Sequence, residues 1–245
     1  MSLRLPSLAW PALIAAAGAL ACTTATAQSG TAGLEASWRV GASSRWLVRG
    51  IPLSRDGTAV SFAGADLYAP QGWSLGVLYG RLETQAHESA GAVGLRAAKE
   101  WTLEGRWAVT AQLRHYSYPG APSLLGWCYN EAGLSLSDAD RWVLSWSAET
   151  RRGPGCNQHQ GPAVTSRSLE LNAGWPLAGG WHLGGGAGWR LYGGGDGYLF
   201  GQAGAGWQQD HFGLQLDRVM VDRSARPLYG APANDSWVAS MVWSF

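Results

Sequence analysis

Among the positions that strand alternation would turn inward, charges of opposite sign fall in separate parts of this sequence. Arg39, Arg45, Arg96, Arg106 and Arg114 come first, and Glu131, Glu149 and Glu170 follow. Gathered inside a fold, guanidinium and carboxylate groups can do two things. On facing walls of a wet passage they create a transverse field that orients small polar or zwitterionic solutes. In a narrow interior they pair and fill it, because buried ions must be paired or hydrated. Both readings stay open from the residues alone. Arg39, Arg45, Arg96, Arg114, Glu131, Glu149 and Glu170 are the candidate lining of a constriction.

Other reactive side chains offer less. His87, His115, His159, His182 and His211 are scattered, and none forms a tight Ser-His-carboxylate set. His115, beside Tyr116 and Ser117, comes nearest to one. His159, near Asn157 and Gln158, could touch a metal, but a lone loop histidine is a weak ligand set. The glycine run Gly193-Gly194-Gly195-Asp196-Gly197 lacks the Gly-Lys-Ser/Thr ending of a phosphate loop and reads as a turn. No enzyme activity, cofactor or metal is expected.

The elements that would position these charges are strands. In Trp237, Ala239, Met241, Trp243 and Phe245 one face of the last segment is large and apolar, while Ser236, Ser240 and Ser244 share the other. That pattern suits lipid on one side and water on the other, and the terminal aromatic strand resembles the signal by which assembly machinery recognises bacterial outer-membrane barrels. Thirty-five Gly, 15 Trp and a single lysine, Lys99, are poor material for helices. Turn residues delimit about twelve alternating segments, near 34–48, 58–69, 72–83, 91–103, 105–117, 128–137, 141–150, 164–176, 180–191, 197–208, 211–222 and 235–245. Tight connections alternate with longer ones at 49–57, 118–127, 151–163 and 223–234. The expected fold is all-β: a transmembrane up-and-down antiparallel β-barrel of about twelve strands with short periplasmic turns and long external loops.

Aromatic residues supply a second pattern. Trp73, Trp101, Trp107, Trp142, Trp175, Trp181, Trp207, Phe212, Trp243 and Phe245 lie near tight turns or the C-terminus, as an interfacial girdle would. Twelve strands tilted by ~40° close to a backbone diameter of roughly 24 Å, leaving ~10 Å between side chains unless arginines or an infolded loop obstruct it. Gly184, Gly186, Gly188, Gly204 and Gly206 would share the inner face, either as a solute track or for close packing and strand bending.

Arg4, the apolar run from Leu8 to Ala21 and the small residues Ala25-Thr26-Ala27 read as a secretory signal, residues 1–27, cut after Ala27. Residues 28–245 then form one barrel domain. Ala19 stands where a lipoprotein site before Cys22 would carry leucine, so lipidation is not expected. No other segment reaches 18 uninterrupted apolar residues. Without Arg4 the chain carries 17 basic and 17 acidic residues, which gives no footprint for nucleic acid. In an oxidising compartment Cys128 and Cys156, at the rims of two neighbouring loops, are expected to form a disulfide. Arg151, Arg152 and Arg167 suit lipopolysaccharide phosphates or solvent.

The motifs Ser43-Ser44-Arg45-Trp46-Leu47-Val48-Arg49-Gly50-Ile51, Ala59-Val60 and Gly72-Trp73-Ser74-Leu75-Gly76-Val77 resemble the opening of the TorF-type porin family of proteobacteria. The similarity extends through Tyr116-Ser117-Tyr118-Pro119-Gly120, Tyr129-Asn130-Glu131-Ala132-Gly133-Leu134-Ser135 and Val242-Trp243-Ser244-Phe245. Arg45, Trp46 and Pro52 depart from it: the family commonly has an acidic residue, Tyr and a small polar residue there. The resemblance implies a barrel and a porin role, with no catalytic set.

The expected function is passive diffusion of small hydrophilic solutes through a narrow charged lumen in the outer membrane. Its expected partners are outer-membrane lipid and lipopolysaccharide, the barrel assembly machinery during insertion, and a small polar solute. The first alternative is a closed structural or partner-binding barrel; the second is a lipid-modifying enzyme.

Overall fold

The computed structural model describes residues 33–103, 106–138, 141–150, 156, 165–229 and 233–245. The signal segment, the Arg151-Arg152 pair and His159 lie outside them. Among the described residues, twelve strands form one closed barrel: β1 (Glu35–Ser43), β4 (Val60–Ala69), β5 (Trp73–Glu83), β6 (Ser89–Thr102), β7 (Trp107–Ser117), β8 (Tyr129–Asp138), β9 (Trp142–Thr150), β10 (Thr165–Pro176), β11 (Trp181–Tyr192), β12 (Gly197–Gln209), β13 (Phe212–Val221) and β14 (Ser236–Ser244). Every neighbouring pair is antiparallel, and β1 closes the ring by pairing with both β4 and β14. At that seam Phe245 N–H donates to the Trp38 carbonyl at 2.8 Å. Two further strands, β2 (Leu47–Val48) and β3 (Ile51–Pro52), pair only with each other. A short helix, α1 (Arg226–Tyr229), lies between β13 and β14.

Burial is inverted relative to a water-soluble sheet. On β5, Leu75, Val77 and Tyr79 are exposed, whereas charged residues such as Arg96, Arg114, Glu131 and Glu149 are buried. Strand alternation accounts for this: successive side chains point to opposite faces, and the apolar set faces outward on every strand. The predicted phase of β14 is the observed one, with Trp237, Met241 and Trp243 exposed and Val238 and Val242 inside.

Tight turns gather at one end of the barrel, joining β4 to β5, β10 to β11 and β12 to β13. Gln71 and Gly72 turn with φ of 65° and 82°, and a Cβ on Gly72 would collide with the Glu100 carbonyl oxygen, so only glycine fits. The aromatic girdle rings this end: Trp107 meets Trp142 edge-on at 5.1 Å, Phe212 lies 5.9 Å from Trp243, and Lys99 sits over Trp73 and Trp101.

One segment departs from the sequence-based expectation. The span 34–48 is not a single strand, because β1 stops at Ser43. Ser43 Oγ donates to the Arg45 carbonyl at 2.9 Å, and Ala239 N–H donates to Ser44 Oγ at 3.0 Å. These bonds satisfy the strand end and redirect the chain into the barrel as the β2–β3 hairpin.

Candidate functional site

Four consecutive strands, β6 to β9, bring charged residues into one row that continues to Ser166 on β10. Arg96 is the cross-strand partner of Arg114, Arg114 of Glu131, Glu131 of Glu149, and Glu149 of Ser166. Like charges directly opposite are unfavourable, so such a row needs counterions. Arg114 Nη1 reaches Glu131 Oε1 at 3.2 Å, and Asp66 binds both Arg39 and Arg96 at 3.3 Å. The Arg96–Arg114 and Glu131–Glu149 parts of the expected basic and acidic walls therefore adjoin along the barrel wall, while Arg39 on β1 stands across the ring from Glu149 on β9. The reason is topological: in an up-and-down barrel consecutive strands are neighbours.

The remaining carboxylates close on a residue that the alternation pattern did not single out. Arg49, at the tip of the β2–β3 hairpin, donates from Nη1 to Glu149 at 2.9 Å, from Nε to Glu170 at 3.0 Å and from Nη2 to Ser147 Oγ at 3.0 Å, and it also pairs with Glu131. Arg190 pairs with Glu149 from another side, and Ser166 Oγ donates to the same glutamate. Tyr198 OH donates to the Arg49 carbonyl at 3.2 Å. Three carboxylates thus surround the Arg49 guanidinium, and arginine keeps its charge in proteins. The arginine is therefore a fixed cation.

The hairpin is suited to this position. Arg49 and Gly50 both have positive φ, 48° and 83°, as a two-residue hairpin turn of matching twist requires. A Cβ on Gly50 would meet Val221 at 2.7 Å, which requires glycine where the tip touches the β12–β13 wall. Trp46, Leu47, Val48, Ile51 and Leu53 are at most 3 % exposed. Trp46 lies over Gly80 and packs with Val60, Phe62, Leu78 and Tyr116 in an apolar cluster. The sequence signal for an inward loop is this run of apolar residues on both sides of an Arg-Gly pair, which a solvated external loop would not need.

Two candidate residues leave the lining. Arg45 sits at the loop rim, paired with the exposed Asp56 at 2.8 Å, because β1 ends before it. Arg106 lies in a turn, 58 % exposed, with its Nε 2.6 Å from Asp138. Arg39, Arg96, Arg114, Glu131, Glu149 and Glu170 do face the interior.

Nearer the tight-turn end the interior is polar. His182 Nε2 lies 2.8 Å from Gln215 Oε1, and Gln215 Nε2 donates to Asp217 at 2.8 Å. Three glycines of β11 and β12 are occupied by neighbours: a Cβ would collide with Asn172 Oδ1 from Gly186, with the Phe200 ring from Gly188 and with Asp217 Oδ1 from Gly204. These three serve close packing, whereas a Cβ on Gly184 would meet only the Ala173 carbonyl oxygen, at 4.0 Å. Beneath the hairpin tip, between Arg49, Glu170, Asn172 and Gln202, a void of about 20 Å³ remains, on the order of one water molecule.

Over the loop end, Tyr229 of α1 stacks on Trp127 at 5.3 Å and meets Tyr198 edge-on at 5.7 Å. Cys128 and Cys156 are joined by a disulfide, with Cα atoms 5.5 Å apart. His115 lies beside them, and its Nδ1 is 3.0 Å from Asn130 Oδ1. Sulfurs held in a disulfide are not thiolate ligands, so this group does not make a zinc site.

The sequence matches no protein-family model and no curated protein. Solved structures do share the fold. The KdgM porin aligns with 7 % identity over 85 % of this chain and 99 % of its own, at a TM-score of 0.54. A KdgM porin in complex with disordered oligogalacturonate aligns with 8 % identity over 86 % and 98 %, at 0.52. The NanC porin aligns with 9 % identity over 86 % and 98 %, at 0.50. The chain thus has the twelve-stranded barrel fold of these porins.

Proposed function

We propose that the protein is an outer-membrane porin-like channel for small hydrophilic solutes, shut at rest by the β2–β3 hairpin. The observation that carries this reading is the seating of Arg49 against Glu131, Glu149 and Glu170. The plug is a loop whose ladder is separate from that of the barrel, so it can withdraw without breaking any barrel strand pair. The signal segment, the outward apolar faces and the girdle support the outer-membrane location, with assembly through the barrel machinery. The TorF-type motifs support the same role at the level of family. Oligogalacturonate, named for one KdgM structure, is a polyanion. Here Arg39, Arg49, Arg96, Arg114 and Arg190 are engaged by carboxylates, which favours polar or zwitterionic solutes. The reading needs no catalytic residue or cofactor.

A second reading has its own support: Trp46, Val48 and Leu53 pack as a core, as they would in a permanently closed structural or partner-binding barrel. Planar-bilayer recordings on refolded protein separate the two. With residues 46–53 replaced by a Gly/Ser linker, the channel reading expects unitary currents far above those of the wild type. A folded but silent linker variant would establish the closed barrel.

A further inference from the structure

A trench of about 890 Å³ crosses strands β5 to β10 on the outside of the barrel. Its floor is the backbone of the row that runs from Gly76 through Arg96, Arg114, Glu131 and Glu149 to Ser166. The charged side chains of that row are buried on the inner face, and the residues flanking each of them project outward to form the trench walls.

The row is oblique to the membrane. It meets β5 at Gly76, close to the girdle residue Trp73, and meets β10 at Ser166, next to the opposite strand end at Thr165. Relative to the girdle, the row rises by roughly 15 Å at ~3.3 Å per residue and ~40° tilt, from the lower bilayer to the loop-side interface.

Polarity changes along that climb. The low end is walled by Leu75, Leu95 and Leu113, all exposed. Ala132 and Ala148 leave the middle shallow-walled and apolar. At the top stand Thr150, Thr165 and the exposed Arg167, with the His115–Asn130 pair beside them. The carboxylates of the row, Glu131 and Glu149, lie on the inner face, paired with Arg49. An apolar gutter ending in hydroxyls and a cation at interface height complements one kind of molecule.

We propose that the trench holds one phosphorylated lipid of the outer leaflet, with an acyl chain along Ala132 and Ala148 and a phosphate at Arg167. Arginine suits this end because its guanidinium makes charge-assisted bonds to phosphate oxygens. The inference rests on the outer-membrane placement proposed above, and not on conduction.

The test is native mass spectrometry of the refolded barrel in detergent with diphosphorylated lipid A as the probe. Wild type, Arg167→Glu and Ala148→Trp are compared; both changes face outward, and heat-modifiable migration verifies that each barrel is closed. The wild type is expected to retain one lipid A. Arg167→Glu should weaken retention by about 10-fold, dephosphorylated lipid A should bind the wild type equally weakly, and Ala148→Trp should abolish retention by filling the trench. Equal retention by all three proteins would overturn the proposal, as would a lipid-free wild-type dimer that Ala148→Trp splits, since a second copy would then be the occupant. A barrel that conducts after hairpin removal but retains no lipid fails this inference alone. Failure to insert into bilayers at all would remove the placement on which both readings stand.

Discussion

Arg49 and Glu149 lie 2.9 Å apart although 100 residues separate them in the chain. One belongs to a loop and the other to the wall, so this contact ties the inward hairpin to the barrel. Its strength comes from burial: both side chains are at most 4 % exposed, where a charge without a partner is costly.

Removing the cation should therefore be felt twice. Arg49→Ala leaves Glu131, Glu149 and Glu170 facing one another, and breaking a buried pair costs about 3–5 kcal/mol. The expected outcome is a lower temperature of heat-modified migration together with channel openings absent from the wild type. Unchanged migration and conductance would show that the clamp does not hold the plug.

Gly80 offers a route to the same hairpin without touching a charge. A Cβ there would lie 2.7 Å from Trp46 Cζ3, so Gly80→Leu should expel the indole at an overpacking cost of about 1–3 kcal/mol. Trypsin reports the result: Arg49 should resist cleavage in the wild type and become a cut site in the variant, mapped by mass spectrometry.

The disulfide should stabilise without gating. It closes a loop with a sequence separation of 28, which the chain-entropy treatment values at about 3–4 kcal/mol. Cys156→Ser is expected to lower thermal resistance while leaving wild-type conductance and the resistance of Arg49 to trypsin in place. Opening of the channel on reduction would instead link the loop to the plug.

The outward face makes a position-dependent prediction. Leu134, exposed on β8, lies toward the middle of the apolar band, where an arginine costs about 2–4 kcal/mol, against about 0–1 kcal/mol near the interface. Folding titrations into lipid vesicles should show Leu134→Arg far more destabilised than Thr165→Arg.

The sequence by itself determined the wall. Alternation is a local property, since each residue's face follows from its neighbours along the strand, and so twelve strands, the girdle and the inward phase of Arg96, Arg114, Glu131, Glu149 and Glu170 are legible in the order of the amino acids alone. Only the tertiary structure decided what fills the barrel. No periodicity tells a loop whether to lean outward or fold inward; that depends on three carboxylates from three strands converging on Arg49, and on Gly80 leaving room for Trp46. The same limit accounts for Arg45, whose predicted place in the lining required β1 to run past Ser43, where serine hydroxyls bonded to the backbone turn the chain instead. It also accounts for Gly186, Gly188 and Gly204, whose vacant side-chain positions are taken by Asn172, Phe200 and Asp217, a packing relation between strands that no single strand encodes.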